Sequence, residues 1–252
     1  MQAYSSSFAQ VYNQRWVSFA KRIAPLIQTF CEDTPAGQEH KTLLDLCCGT
    51  GQLAVHFLQQ GYRVMGIDLS EPMLGYAREN AAPYVQSGAA RFVQGDASRF
   101  DLDDRFGLVV STYDAMNHLA DENAMRSCFQ CVYPVLEPGG LFIFDLNTCA
   151  GLEQWNGIGV DDLPNLMLVH RGFYDPEGRK AWVRISGFTR RQDGLYERFE
   201  QTAYNTAFDL RWVRRTLGEV GWQDVHIARI EELGTPLADP EGESRVYFVA
   251  RK

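Results

Sequence analysis

Between Leu43 and Asp145 short apolar runs alternate with stretches of helical spacing, and this alternation constrains the fold more than any other feature. Leu43 to Cys47 reads as a strand and Gln52 to Gln60 as a helix. Tyr62 to Ile67 reads as a second strand, and Glu71 to Glu79 as a helix with Ser70 placed to cap it and Pro72 in its first turn. Arg91 to Gln94 and Leu108 to Thr112 supply strands three and four. A helix from about Glu122 to Leu136, a turn at Glu137-Pro-Gly-Gly140 and a fifth strand, Leu141 to Asp145, complete the series. This rhythm predicts a parallel sheet covered on both faces, with ligands bound outside the carboxyl ends of its strands.

The flanks differ. Phe8, Val11, Tyr12, Trp16, Phe19, Ile23 and Ile27 recur at helical spacing, as one broken helix or two successive ones. After Asp145, three β-like runs (Asn165–Tyr174, Lys180–Arg191, Leu195–Phe208) are joined by Asp175-Pro-Glu-Gly178 and Gln192-Asp-Gly194, the composition of antiparallel hairpins. A helix from Leu210 to Val220, capped by Asp209 and stopped at Gly221, then precedes strands Trp222–Ile230 and Arg245–Ala250. The expected organisation is one domain: a helical segment over 1–37, an α/β core over 38–150 and 209–252, and an inserted antiparallel β subdomain over 160–208.

Composition narrows the function. The 252 residues carry 24 basic and 32 acidic side chains, a formal charge of −8, which argues against general affinity for nucleic acid or anionic membrane. No apolar run approaches the roughly 18 residues that span a bilayer. Met1-Gln-Ala-Tyr-Ser lacks the basic and apolar regions of a secretory signal, so a cytoplasmic protein is expected. Cys128 and Cys131 form a C-x-x-C, but inside a helical pattern and with no second ligand pair nearby. They read as reduced, packed thiols, and no metal site is expected.

The densest signal is Leu43-Leu-Asp-Leu-Cys-Cys-Gly-Thr-Gly-Gln-Leu-Ala54. Gly49 and Gly51 fall in the turn between strand one and a helix, where backbone amides can approach a ligand closely. Gly49 to Ala54 also satisfies the dinucleotide fingerprint, with Asp68 ending strand two, so a dinucleotide-dependent oxidoreductase is one reading. Asp45 argues against it. A carboxylate four residues before the first glycine repels a pyrophosphate and attracts an ammonium or sulfonium.

Taken together these segments resemble the class I S-adenosylmethionine-dependent methyltransferases of small-molecule type. Asp45 to Gly51 is similar to their D-x-x-x-G-x-G motif, and Gly66-Ile-Asp-Leu-Ser70-Glu-Pro-Met73 to their acidic strand-two end. Phe92 to Ala97 is similar to the strand-three end, and Leu136 to Leu141 to the turn before strand five. The resemblance covers roughly residues 40 to 148 and resumes from about 209. It implies a Rossmann-like sheet with helices on both faces, a helical lid at the N-terminus, and S-adenosylmethionine as cofactor. On that basis Asp68 would hold the two ribose hydroxyls, Leu69 would pack beside the adenine, Asp96 and Ala97 would meet the adenine edge, and Met73 would be a further cofactor contact. Asp45, Cys47, Gly49, Gly51, Thr112 and Tyr113 would border the methionine part. Tyr12 and Trp16 are either lid residues over the cofactor or simple core.

On the acceptor side, Ser111-Thr-Tyr-Asp-Ala-Met-Asn-His-Leu119 lacks the motifs of adenine-amino and cytosine-ring methylation. The expected acceptor is a small molecule, an amine ahead of a hydroxyl. His118 is the candidate base with Tyr113 as a second catalytic candidate, and Asp114, His170 and Arg171 are candidate substrate contacts. The insertion holds Phe173, Tyr174, Trp182, Phe188, Tyr196, Phe199, Tyr204 and Phe208, beyond what its own core needs. The excess would line an acceptor pocket or a homodimer face. A cofactor-binding protein without catalysis would carry the same cofactor motifs.

Overall fold

The computed structural model describes residues 4–191 and 193–252; Met1-Gln-Ala and the first residue of the expected Gln192–Gly194 linker lie outside the described residues. Two helices come first, α1 (Ser6–Arg15) and α2 (Val17–Glu32), broken at Trp16, whose φ/ψ of −101°/19° leaves the helical region. Then follow α3 (Pro35–Glu39), β1 (Thr42–Leu46), α4 (Gln52–Gln59), β2 (Arg63–Asp68), α5 (Glu71–Asn80), α6 (Ala82–Gln86) and β3 (Ala90–Gln94). Next come β4 (Phe106–Ser111), α7 (Glu122–Val135), β5 (Leu136–Asn147) and α8 (Cys149–Glu153). The expected caps form: Ser70 Oγ accepts from the Met73 N–H at α5, and Asp209 accepts from the Trp212 N–H at α9 (Leu210–Val220).

With β10 (Gln223–Ala228) and β11 (Arg245–Arg251), seven strands form one Rossmann-like sheet in the order β10-β11-β5-β4-β1-β2-β3. The first five strands run parallel, and β11 is antiparallel to both of its neighbours. Because the order reverses between β1 and β4, a crevice opens at their carboxyl ends. Alternate residues feed two cores. Leu44, Val109 and Phe142 pack with Phe129 and Val132 of α7 and Leu217 of α9, whereas Leu43, Leu108 and Val110 pack with Ile23 and Ile27 of α2 and Phe57 of α4. Cys128 is buried in the first core, and all six cysteines are unpaired thiols.

A second, antiparallel sheet runs in chain order through β6 (Gly157–Leu163), β7 (Leu166–Asp175), β8 (Lys180–Arg190) and β9 (Tyr196–Thr206). Its last three strands are those the sequence predicts. β6 is not, because Gly157, Gly159, Asp161 and Asp162 disfavour a strand. Pairing with β7 from Gly157↔Gly172 to Leu163↔Leu166 holds it extended. β5 also starts earlier than expected. Glu137 to Gly140 is absorbed into it as an irregularity, where the register against β4 jumps from Phe106↔Leu136 to Leu108↔Leu141. Leu166, Leu168 and Phe199 on one face of the second sheet pack with Phe8, Ala9 and Val11 of α1 and Met73 of α5. That contact sets the second sheet and α1 over the crevice.

Candidate active site

At the end of β1 the chain turns through Cys47 (φ 62°), Gly49 (φ 54°) and Gly51 (φ 72°). The Gly49 N–H donates to Asp68 Oδ2 and the Ser70 N–H to Asp68 Oδ1, both at 2.8 Å, which fixes the carboxylate at the end of β2. Each oxygen keeps a lone pair for a further donor. Burial raises the Asp68 carboxyl above its ordinary range, while the two backbone donors pull the other way. Cys47, Gly49, Asp68, Leu69, Met73, Thr112 and Tyr113 border a chamber of about 70 Å³ closed by Tyr4, Tyr12 and His118.

A smaller chamber of about 40 Å³ adjoins it, bordered by Asp45, Thr50, Thr112, Tyr113, Tyr12 and Trp16. Asp45 Oδ2 and Thr50 Oγ1 are buried without a hydrogen-bond partner among the described residues. Burial pushes the Asp45 carboxyl up to about 7. A buried orphan of this kind costs about 1–3 kcal/mol unless a ligand answers it, and a donor-rich cation is the natural answer. Tyr12 and Trp16 are thus both packed with other aromatics of α1 and exposed to the chambers.

Three expected cofactor contacts lie outside the lining of both chambers. Gly51 serves helix packing, since a Cβ there would lie 3.0 Å from Ala77 Cβ of α5. Asp96 Oδ1 accepts from the Ser98 N–H and Oγ at 2.8 and 2.7 Å, and Ala97 is buried in the core.

Beyond β4, Tyr113 (φ 67°) and Asp114 (φ 52°) are successive left-handed residues that carry the chain into a 3-10 turn, Ala115–His118. Neither is a glycine, so the turn is strained and must be held from outside. Arg245 of β11 does so. It donates to Asp114 Oδ1 (2.7 Å) and to Asp145 Oδ2, and its guanidinium lies 5.2 and 5.6 Å from the Phe19 and Tyr113 ring centres. The Asp114 N–H donates to Asp145 Oδ1 at 3.1 Å. Burial lifts the Asp145 carboxyl to about 6 against the pull of Arg245. Asn117, fully buried, donates to Asn147 O and Thr206 O (3.1 and 2.9 Å) and accepts from the Asn147 N–H, joining the turn to β5 and β9.

These contacts orient His118. Its Nδ1 lies 2.8 Å from Tyr204 O of β9. A carbonyl only accepts, so this network assigns the proton to Nδ1 and leaves the Nε2 lone pair facing the crevice. Tyr4 Oη lies 3.4 Å from Nε2, and Asp114 Oδ2 lies 4.0 Å from it. Tyr113 is a different case. Burial and the Asp114 charge push its phenol up to about 12, so it remains protonated near neutral pH.

A third chamber, of about 610 Å³, shares Tyr4, Tyr12, Tyr113 and His118 with the first and continues past Asp114, Arg245 and His170 to the inner face of the second sheet. Gly159 leaves room there for the His170 ring, with which a Cβ would collide. Arg171 does not join them: it follows His170 on β7, is exposed, and by strand alternation falls on the outer face. None of the insertion's eight singled-out aromatics borders the chamber; Tyr174, Phe199 and Phe208 are buried, while Phe173, Phe188, Tyr196 and Tyr204 are exposed. Sequence reasoning missed Arg245, Asp145 and Asn117. Only knowledge of the sheet order, which sets Tyr247 opposite Asp145, brings these distant residues together.

Residues 43–140 match the family model described as a methyltransferase domain. The chain is 30% identical over 197 residues to a glycine/sarcosine N-methyltransferase of Aphanothece halophytica, covering 75% of this chain and 69% of that one. A solved S-adenosylmethionine-dependent methyltransferase from Clostridium acetobutylicum superposes with a TM-score of 0.79 at 22% identity, over 97% of each chain. The sugar N-methyltransferase KedS8 from Streptoalloteichus gives 0.74 at 18% identity, over 100% of this chain and 94% of that one. This chain belongs to the class I S-adenosylmethionine-dependent methyltransferases. It is an enzyme with S-adenosylmethionine as cofactor, and the unpartnered Asp45 and Thr50 atoms beside the Asp68 chamber suit an amino-acid nucleoside.

Proposed function

We propose that the enzyme methylates the nitrogen of a small-molecule amine, in preference to a hydroxyl, by metal-independent in-line displacement. The observation that carries this reading is the His118 Nε2 lone pair where the cofactor and acceptor chambers meet, met by the Tyr4 hydroxyl at 3.4 Å and with Asp114 beside it. When bound, S-adenosylmethionine supplies an electrophilic methyl on a sulfonium. An alkyl amine arrives protonated, so one proton must leave before attack. His118 Nε2 accepts it, and the Asp114 carboxylate stabilises the imidazolium. The freed lone pair forms the N–C bond while the S–C bonding pair goes to sulfur, and the methylated amine keeps the positive charge. Tyr113 and Asp114 position the acceptor, and Tyr4, Tyr12 and Trp16 exclude water. The nitrogen acceptors named for the Aphanothece enzyme and KedS8 support the choice of nitrogen.

The same reading takes 1–37 as a lid, 38–150 with 209–252 as the catalytic core and the β insertion as a roof over the acceptor, with Asp96 and Ala97 serving adenine once cofactor is bound. It assigns the protein to the cytoplasm; among the described residues no helix is long and apolar enough to cross a membrane. Two copies pair through the outer face of the insertion. The test of the central claim is His118→Gln assayed with a panel of amines. Turnover should fall about 10²–10⁴-fold, and the fall should narrow as pH rises and the amine deprotonates unaided. Affinity for S-adenosylhomocysteine should change far less than turnover, although His118 borders the same chamber. Undiminished turnover, or methyl found on oxygen, would overturn the assignment.

A further inference from the structure

We propose that the acceptor is a cationic amine carried on an apolar body, and not a phosphate- or carboxylate-bearing amine; this rests on the amine-methylation reading above. The argument begins with charge. Two guanidinium groups border the large chamber among the described residues, those of Arg15 and Arg245. Arg15 already donates to Asp161 Oδ2 at 2.8 Å across the chamber mouth, and Arg245 is shared between Asp114 and Asp145. Three carboxylates against two guanidiniums leave one negative charge in excess beside His118. An anionic group placed beside His118, away from Arg15 at the mouth, would have to take Arg245 from its partners, leaving Asp145, which is 0% exposed, without its counter-ion. A cationic amine needs no such exchange, because it meets an Asp114 carboxylate whose pairing with Arg245 is shared with a second acid.

The far wall supplies the other half of the argument. Where the chamber runs under the second sheet, Leu168, Val183, Ile185 and Ala203 face it. Gly157 leaves open space at its edge, whereas Gly159 and Gly172 make room for the His170 ring and the Trp155 backbone. A chamber of about 610 Å³ falls within the range of pockets that enclose drug-sized ligands. An acceptor as small as glycine would leave most of this volume to water against apolar side chains. An acceptor that places its amine at Asp114 and His118 and its apolar body under β7 to β9 fills both ends.

The experiment is calorimetry on the full chain saturated with S-adenosylhomocysteine, using matched probes: 4-phenylbutylamine, 4-phenylbutyrate, butylamine and glucosamine 6-phosphate. The phenylbutylamine should bind about tenfold or more tightly than each of the others, since the butyrate reverses the charge and butylamine lacks the apolar body. Ala203→Phe, which fills the wall, should cost that probe about tenfold while S-adenosylhomocysteine affinity is retained. Equal or tighter binding of the carboxylate or the phosphate, or no binding by any probe, would overturn the proposal. Turnover separates the two levels of claim. N-methylation of glucosamine 6-phosphate would sink the apolar-body inference and leave amine methylation standing. Methylation of 4-phenylbutanol with no amine accepted would sink amine methylation itself.

Discussion

Asp45 is buried and Arg245 half-buried, and among the described residues only Arg245 meets an opposite charge. Burial raises the Asp45 carboxyl from 3.8 to about 7, so without a bound cation its protonated form is favoured. That preference stabilises the fold fully below about pH 4, and the stabilisation is lost as pH rises through about 7. A bound ammonium reverses the sign by favouring the carboxylate. The rise in unfolding temperature caused by S-adenosylhomocysteine should therefore be larger at pH 8 than at pH 6, and Asp45→Asn should remove the difference; a pH-independent rise would place the ammonium elsewhere. Arg245 tests the opposite case. Arg245→Met orphans Asp145 and should cost about 3–5 kcal/mol in urea unfolding, while Arg245→Lys keeps the charge and should cost less. Asp45 was legible because its spacing from Gly49 is local. Arg245 was not, because its partners lie 100 and 131 positions away and meet it only through sheet order.

Among the elements, legibility followed local chemistry. Ser70, Asp209 and Gly221 mark helix ends through caps that act within a turn, and the sequence places those ends correctly. β6 carries no such mark, being an edge strand of glycines and aspartates that its partner holds in place. The second sheet is also tied into the site more tightly than an appended roof would be. Tyr204 O fixes the His118 tautomer, Thr206 O holds Asn117, and the Ser5 N–H donates to Gln201 Oε1 at 3.2 Å. Replacing residues 162–207 with a short Gly/Ser linker should therefore leave the seven-stranded sheet folded by circular dichroism. It should also undock α1, weaken S-adenosylhomocysteine binding and abolish methyl transfer. Full cofactor affinity in that variant would show that α1 closes without the sheet.

At the scale of the whole molecule, the insertion's outer face has no partner among the described residues. Strand pairing gathers Phe173, Trp182 and Tyr204 into one cross-strand row and Met167 and Phe188 into another, with Ile158 and Val160 on the neighbouring edge strand. Ile158 is 72% exposed and Tyr204 57%, which makes the face an apolar patch of the kind that marks an interaction surface. Arg184 and Arg198 both reach Glu200 between the rows. A two-fold axis through the face would let each copy set its apolar rows and its Arg–Glu cluster against the same features of the other. Sedimentation should give twice the chain mass, and Phe173→Asp with Phe188→Asp should give the single mass. Because neither residue borders a chamber, the separated chain should still bind S-adenosylhomocysteine. A wild-type chain that sediments singly at high concentration would refute the pairing. Loss of cofactor binding on separation would mean that dimer contact also holds β9 against His118.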